Sequence, residues 1–250
     1  MATIEANLQA VRSRVARAAE AAGRDPASVV LLAVSKTHPA ALLEPAVSAG
    51  QRRFGESYVQ EAVQKMDALA ALLGAEAAAL EWHLIGPLQS NKTRVVAERF
   101  HCVQSVDREK IARRLSEQRP PGLAPLDVLL QVNVSGEATK SGLAPANVRA
   151  VARAVAPLPR LRLRGLMAIP EATRDLGLQR ARFRSVRELF ERLRDDGLAL
   201  DVLSMGMSDD LEAAIAEGAT MVRIGSAIFG AREQRAGSRA LREPASGGTT

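Results

Sequence analysis

"ASVVLLAVSKTHPAAL", residues 27–42, holds an apolar run from Val29 to Val34 that ends in Ser35 and Lys36 and then stops at Thr-His-Pro. A short, unbroken, β-branched run closed by a proline turn reads as a strand buried on both faces. Strands of that kind belong to parallel sheets covered by helices. Lys36 stands out, because the chain has 34 basic residues but lysine only at 36, 65, 92, 110 and 140.

Working outward, Ile4, Leu8, Val11, Val15 and Ala18 form one stripe at helical spacing, with Gly23 placed to stop the helix. Seven more runs of strand type follow, at 52–54, 81–86, 101–106, 127–134, 163–169, 201–206 and 221–225. Helical patterns lie between them at 39–49, 59–73, 108–117, 145–156, 178–194 and 209–217. Eight apolar strands alternating with helices in 250 residues have the count and size of an α/β protein of the (β/α)8 TIM-barrel type, with an extra N-terminal helix. A doubly wound open sheet shares the alternation, but the dinucleotide fingerprint is missing after the first strand. The reading gives one barrel domain over residues 1–232 and a polar, Gly-rich, frayed tail over 233–250.

The net charge of +6 comes from arginines interleaved with Asp and Glu, and aromatic residues make up 3% of the chain. A basic RNA-binding scaffold is therefore a weak reading, since single-strand binding uses stacking aromatics. One cysteine, Cys102, allows no intramolecular disulfide and reads as a small buried thiol. Three histidines, at 38, 83 and 101, show no metal-ligand spacing. With no apolar run long enough for a membrane span or a signal segment, the expectation is a cytoplasmic protein.

A barrel of this kind works at the C-terminal ends of its strands. Lys36 lies at the first of these ends. Loss of hydration there would lower its pKa and supply the neutral amine that forms a Schiff base with a carbonyl. The plain alternative is a lysine that ends a strand by snorkelling to solvent. In "SMGMSDDLEAA", from residue 204, Ser208 stands at an N-cap position with Asp209, Asp210 and Glu212 in the first turn. Gly225 permits close backbone approach and Ser226 opens a further helical stretch. Two helix N-termini after the seventh and eighth strands make a phosphate corner, although capping alone would account for Ser208. Because a barrel closes its last strand onto its first, a ligand with an aldehyde and a phosphate would bridge the two features. Pyridoxal 5'-phosphate (PLP) is such a ligand.

The blocks "LLAVSKTHP", "FGESYVQEAVQK", "WHLIGPLQSNKTR", "LLQVNVSGEATKSG", "LRGLMAIPE" and "LSMGMSDDLEAAIAEGATMVRIGSAIFGAR" closely resemble the pyridoxal phosphate homeostasis protein family, from about residue 4 to 232. The resemblance implies a fold type III PLP barrel akin to the N-terminal domain of alanine racemase. It implies Lys36 as the Schiff-base lysine, Ser208, Gly225 and Ser226 as phosphate contacts, and Arg223 facing the pyridine nitrogen, with Met205 and Gly206 lining the same wall. Two positions depart from the family pattern: Ser57 replaces the Asn of "FGENYVQE", and Ser226 stands where Thr is common. The function implied is holding, buffering or delivering this vitamin B6 cofactor, with no catalytic residues assigned and PLP-dependent apo-enzymes as partners. A complete barrel needs no partner to close its sheet, so a monomer is expected.

The competing reading is a PLP-dependent amino-acid racemase. An arginine cannot lose its proton at neutral pH, so Arg223 would disfavour the pyridinium and leave PLP a weaker electron sink. Racemisation also needs acid/base groups on both faces. Lys36 could serve one face. In alanine racemase the other group is a tyrosine of a second domain, and this chain is expected to end after its barrel. Its sole tyrosine, Tyr58, falls in the second βα loop, where a packed or hydrogen-bonded aromatic is expected. Trp82 and His83 read as core or wall residues, and "QSNKTR" (89–94) as a helix start capped by Ser90 or a surface loop.

Overall fold

The computed structural model describes residues 3–135 and 141–230. In chain order its elements are α1 (Ile4–Ala21), β1 (Val30–Val34), α2 (Leu43–Ser48), β2 (Arg53–Glu56), α3 (Val59–Leu73), β3 (Glu81–Leu84), α4 (Thr93–Arg99), β4 (Cys102–Val106) and α5 (Glu109–Gln118). There follow β5 (Leu126–Val132), α6 (Pro145–Val155), β6 (Leu161–Ala168), α7 (Leu176–Asp195), β7 (Val202–Ser204), α8 (Leu211–Ala216), β8 (Met221–Ile224) and α9 (Ser226–Phe229). The strands pair in parallel and in sequence order, and β8 returns to β1, so the sheet is a closed (β/α)8 barrel as the strand count predicts. The proposed tail, 233–250, lies outside the described residues, as does Lys140.

Strand alternation divides the apolar side chains into two kinds of layer. One shell packs strands against helices and includes Leu8, Phe54, Trp82, Leu84, Val222 and Ile224. Small inner clusters fill the barrel itself: Leu32, Ile85 and Met221 in one, and Cys102, Leu129 and Met167 in the other. Cys102 is indeed buried in a strand, and burial raises its thiol pKa. Val222 and Ile224 turn outward while Met221 turns inward, and the same period aims Arg223 at the interior.

The leading helix is as the stripe predicts: Thr3 caps it, Leu8, Val11, Val15 and Ala18 are buried, and Gly23 follows at φ +67°. Two local expectations need correction. Ser208 is not the cap of α8, which begins at Leu211. Asp210 Oδ1 instead accepts the Met207 amide at 2.6 Å, so residues 207–210 form a turn stabilised from within, ahead of the helix. Asp209 and Asp210 therefore precede the helix, and only Glu212 lies in its first turn. Around residue 90 the helical alternative is the correct one. The short 3-10 turn Ser90–Lys92 leads into α4, and the Ser90 carbonyl, not its hydroxyl, is used, accepting from Thr93 Oγ1 and Arg114 Nε.

Candidate functional site

Strands β8 and β1 meet with Ala33 opposite Ile224. The exit of β1, leading to Lys36, therefore adjoins the exit of β8, leading to Gly225 and Ser226. The approach is close: a Cβ added at Gly225 would stand 2.9 Å from the Val34 carbonyl oxygen. Any larger residue would push the two strand ends apart. Lys36 is half-buried and Ser226 exposed, so the two groups border the open mouth rather than the core. His38, in the loop after Lys36, is buried against Phe229 of α9 with ring centroids 5.4 Å apart, which ties that loop to the turn carrying Ser226.

Arg223 brings a buried charge to this corner, at 3% exposure. Its Nη1 donates to the Ser204 carbonyl at 2.7 Å and hydroxyl at 2.8 Å, and its Nη2 to the Ala168 carbonyl at 2.8 Å. The guanidinium thus spans from β8 across β7 to the end of β6. Burial pushes its pKa down to about 10, with Asp210 opposing, so it remains a cation at neutral pH. Below it a chain of hydrogen bonds continues through the barrel. Ser204 Oγ donates to Gln104 Oε1 at 2.7 Å, and Gln104 Nε2 lies 3.0 Å from His83 Nδ1. His83 is accordingly an interior wall residue, 5% exposed.

The remaining predicted residues fall into place unequally. Gly206 adopts φ +95°, and a Cβ there would meet Ala214 at 2.6 Å, so glycine is required by both conformation and space. Met205 is fully buried within the shell between strands and helices, so it can meet a ligand only through its main chain. Ser208 is half-buried in the 207–210 turn. Helices α8 and α9 have six and four residues, so the donors they offer are local amides and hydroxyls rather than a long helix dipole. Tyr58 is 59% exposed at the start of α3, so of the packed or hydrogen-bonded aromatic expected there, the packed alternative does not hold.

Sequence reasoning missed the groups that brace this corner. Arg14 of α1 donates from Nη1 to the Ser208 carbonyl at 2.7 Å and grips Glu212 through Nε and Nη2 at 2.5 and 2.7 Å. Asn7 Nδ2 donates to the Ile228 carbonyl at 3.0 Å. The leading helix is thus fastened to both late turns. A polar residue at Asn7, one step before the buried Leu8, was the available signal.

The fold and site can be set beside known proteins. The family model for the N-terminal domain of alanine racemase matches residues 6–233. The pyridoxal phosphate homeostasis protein of Pseudomonas aeruginosa is 62% identical over 233 residues, covering 93% of this chain and 97% of that one. Its counterpart in Escherichia coli is 52% identical, covering 93% and 98%. The structure of PipY of Synechococcus elongatus, solved with PLP bound, superposes with a TM-score of 0.79 at 38% identity, covering 91% of this chain and all of that one. Among the described residues no helix is long and apolar enough to cross a membrane.

Proposed function

The chain belongs to the pyridoxal phosphate homeostasis protein family, and from that premise we propose that it binds PLP at the barrel mouth through Lys36 and acts in PLP homeostasis. The observation that carries the reading is the closure of β8 on β1, which sets the exit toward Lys36 beside Gly225 and Ser226. An amine and a phosphate cradle are then neighbours, as an aldehyde phosphate requires. The residues fit the group, since Arg223 offers a buried cation that would favour an uncharged ring nitrogen, and Gly225 leaves the room that a side chain would fill.

Bound PLP supplies a reactive aldehyde on an aromatic ring. Lys36 would be the amine that bonds to that aldehyde, with water as the group released. Ser208, Gly225 and Ser226 hold the phosphate, while Gly206 and the Met205 main chain form the wall beside it. Arg223, ionised at neutral pH, would disfavour protonation of a ring nitrogen facing it, which suits holding the cofactor more than carbanion chemistry. The partners proposed are PLP and PLP-dependent apo-enzymes that receive it, with the protein acting as a cytoplasmic monomer.

The test is the visible absorbance of the purified protein before and after borohydride, with mass mapping of the reduced adduct and Lys36→Ala as control. A yellow band trapped on Lys36 and missing in the variant is the expected result. A protein that stays colourless after incubation with PLP sinks the reading.

A further inference from the structure

Lys65 lies on the buried face of α3 beside Ala62, Met66 and Leu69, and is only 5% exposed. A buried ammonium must place all its protons on acceptors. Lys65 Nζ places them on the Ser35 carbonyl at 2.6 Å, on Glu56 Oε1 at 2.7 Å and on Glu61 Oε1 at 2.6 Å. Ser35 immediately precedes Lys36, and its hydroxyl also donates to Glu56 Oε1, at 2.6 Å.

The residue after Lys36 is held by the same cluster. The Thr37 amide donates to Glu61 Oε1 at 2.5 Å. Thr37 adopts φ +68°, a left-handed conformation that a β-branched residue takes only when its surroundings impose it. Its hydroxyl donates to the carbonyl of Lys36 itself at 2.6 Å. Lys36 is thus flanked on both sides by backbone groups tied to one cluster, the buried Lys65 and Glu56 with the partly exposed Glu61. An apolar trio of similar volume would fill that space without the desolvation cost of ions. What the cluster does hold is the main chain on either side of Lys36.

We propose that Lys65, Glu56 and Glu61 are positioning residues for Lys36: they fix the main chain at 35 and 37 so that its side chain leaves β1 toward the ligand aldehyde. The inference rests on the role given to Lys36 above. The clamp acts on the covalent end of the ligand only. The phosphate end is held by a different part of the barrel, the turns after β7 and β8.

That separation supplies a test. Pyridoxine 5'-phosphate has the ring and phosphate of PLP but an alcohol in place of the aldehyde, so it cannot bond to Lys36. Dissociation constants for both compounds would be measured by fluorescence titration on wild type, Lys65→Met, Glu61→Ala and Glu61→Gln, with Lys36→Ala as reference. PLP binding is expected to weaken by about tenfold or more in Lys65→Met and Glu61→Ala. Pyridoxine 5'-phosphate should stay within about twofold of wild type in both. Glu61→Gln, which keeps an acceptor for Thr37 and Lys65, should stay near wild type for both ligands.

A general loss of structure would weaken both ligands together, and that result in Glu61→Ala overturns the proposal. So does PLP binding that no variant changes. If Lys65→Met does not fold, Glu61→Ala decides alone, because the Glu61 side chain is 29% exposed and its loss leaves no buried cavity. Wild type that binds no PLP, or Lys36→Ala that still traps it, removes the underlying reading of Lys36, and this is seen before any clamp variant is compared.

Discussion

Arg223 spends both protons of Nη1 on one residue, the Ser204 carbonyl at 2.7 Å and the Ser204 hydroxyl at 2.8 Å. The direction of the hydrogen bonds below follows from that. With its oxygen accepting from Arg223, Ser204 gives its own proton to Gln104 Oε1. This turns Gln104 Nε2 toward His83 Nδ1 and Met221 Sδ, so the imidazole accepts at Nδ1. The orientation of the guanidinium at the mouth is thereby set by a line of polar side chains crossing the barrel interior.

Ser204→Ala breaks that line at its middle. It removes a buried acceptor from Arg223 and a buried donor from Gln104. The expected cost is about 1–3 kcal/mol of unfolding free energy, the range for buried polar groups left without partners. Urea denaturation at neutral pH measures it, and a loss below about 0.5 kcal/mol would mean that Gln104 re-pairs at once.

Glu56 gives a pH dependence opposite in sign to that of most carboxylates. Burial raises its pKa above 4.5, with Lys65 and the Ser35 hydroxyl opposing. Only between pH 4.5 and that raised value does the folded state hold a proton that the unfolded chain has released. Stability from this group is greatest below pH 4.5 and declines as pH rises toward the folded pKa. Glu56→Gln keeps an acceptor for Lys65 and cannot titrate, so its stability should lack that decline. Unfolding curves across the window, on both proteins, would show parallel pH profiles if the idea is wrong.

The barrel was legible in the sequence because most strands are compact apolar runs, β2 (Arg53–Glu56) being the exception, and the longer helices between them keep their own period. Val59–Leu73 matches the sequence reading to the residue. The ends of α8 were not legible, since "SDD" supplies three plausible caps and the choice was made by Asp210 folding back on Met207. Lys36, Arg223 and Gly225 could be singled out from strand position together with the family resemblance. Lys65 could not be found by residue type, because Glu61 and Lys65 look like an ordinary exposed pair four residues apart on a helix. The overlooked signal was periodicity: Ala62, Lys65, Met66 and Leu69 share the buried face, so the lysine stands where an apolar residue is expected.

Gly225→Ala tests the closure of the barrel at its mouth. The added methyl would stand 2.9 Å from the Val34 carbonyl oxygen, a backbone atom that cannot swing aside. Moving β8 away from β1 is the remaining response. A stability loss of about 1–3 kcal/mol is expected from overpacking of this kind, together with weaker PLP retention on gel filtration. Unchanged retention would separate Gly225 from the cofactor site.

Arg14→Ala tests whether α1 serves the site rather than merely packing on it. The Arg14 ion pair with Glu212 is partly exposed, with side-chain exposures of 36% and 53%, so its loss should cost no more than about 1 kcal/mol. Arg14 holds the Glu212 carboxyl below its usual pKa of 4.5, so the contribution is present above pH 4.5 and fades as pH falls through the lower folded value. The hydrogen bond to the Ser208 carbonyl is a separate matter, because it fixes a turn proposed to meet the phosphate. Affinity should therefore fall more than stability does, and it should fall for pyridoxine 5'-phosphate as much as for PLP. Glu212→Gln, which keeps an acceptor for Arg14 and leaves its bond to Ser208 free to form, should bind both ligands nearly as wild type. Titrations showing unchanged phosphate-ligand affinity in Arg14→Ala would reduce the leading helix to a packing element.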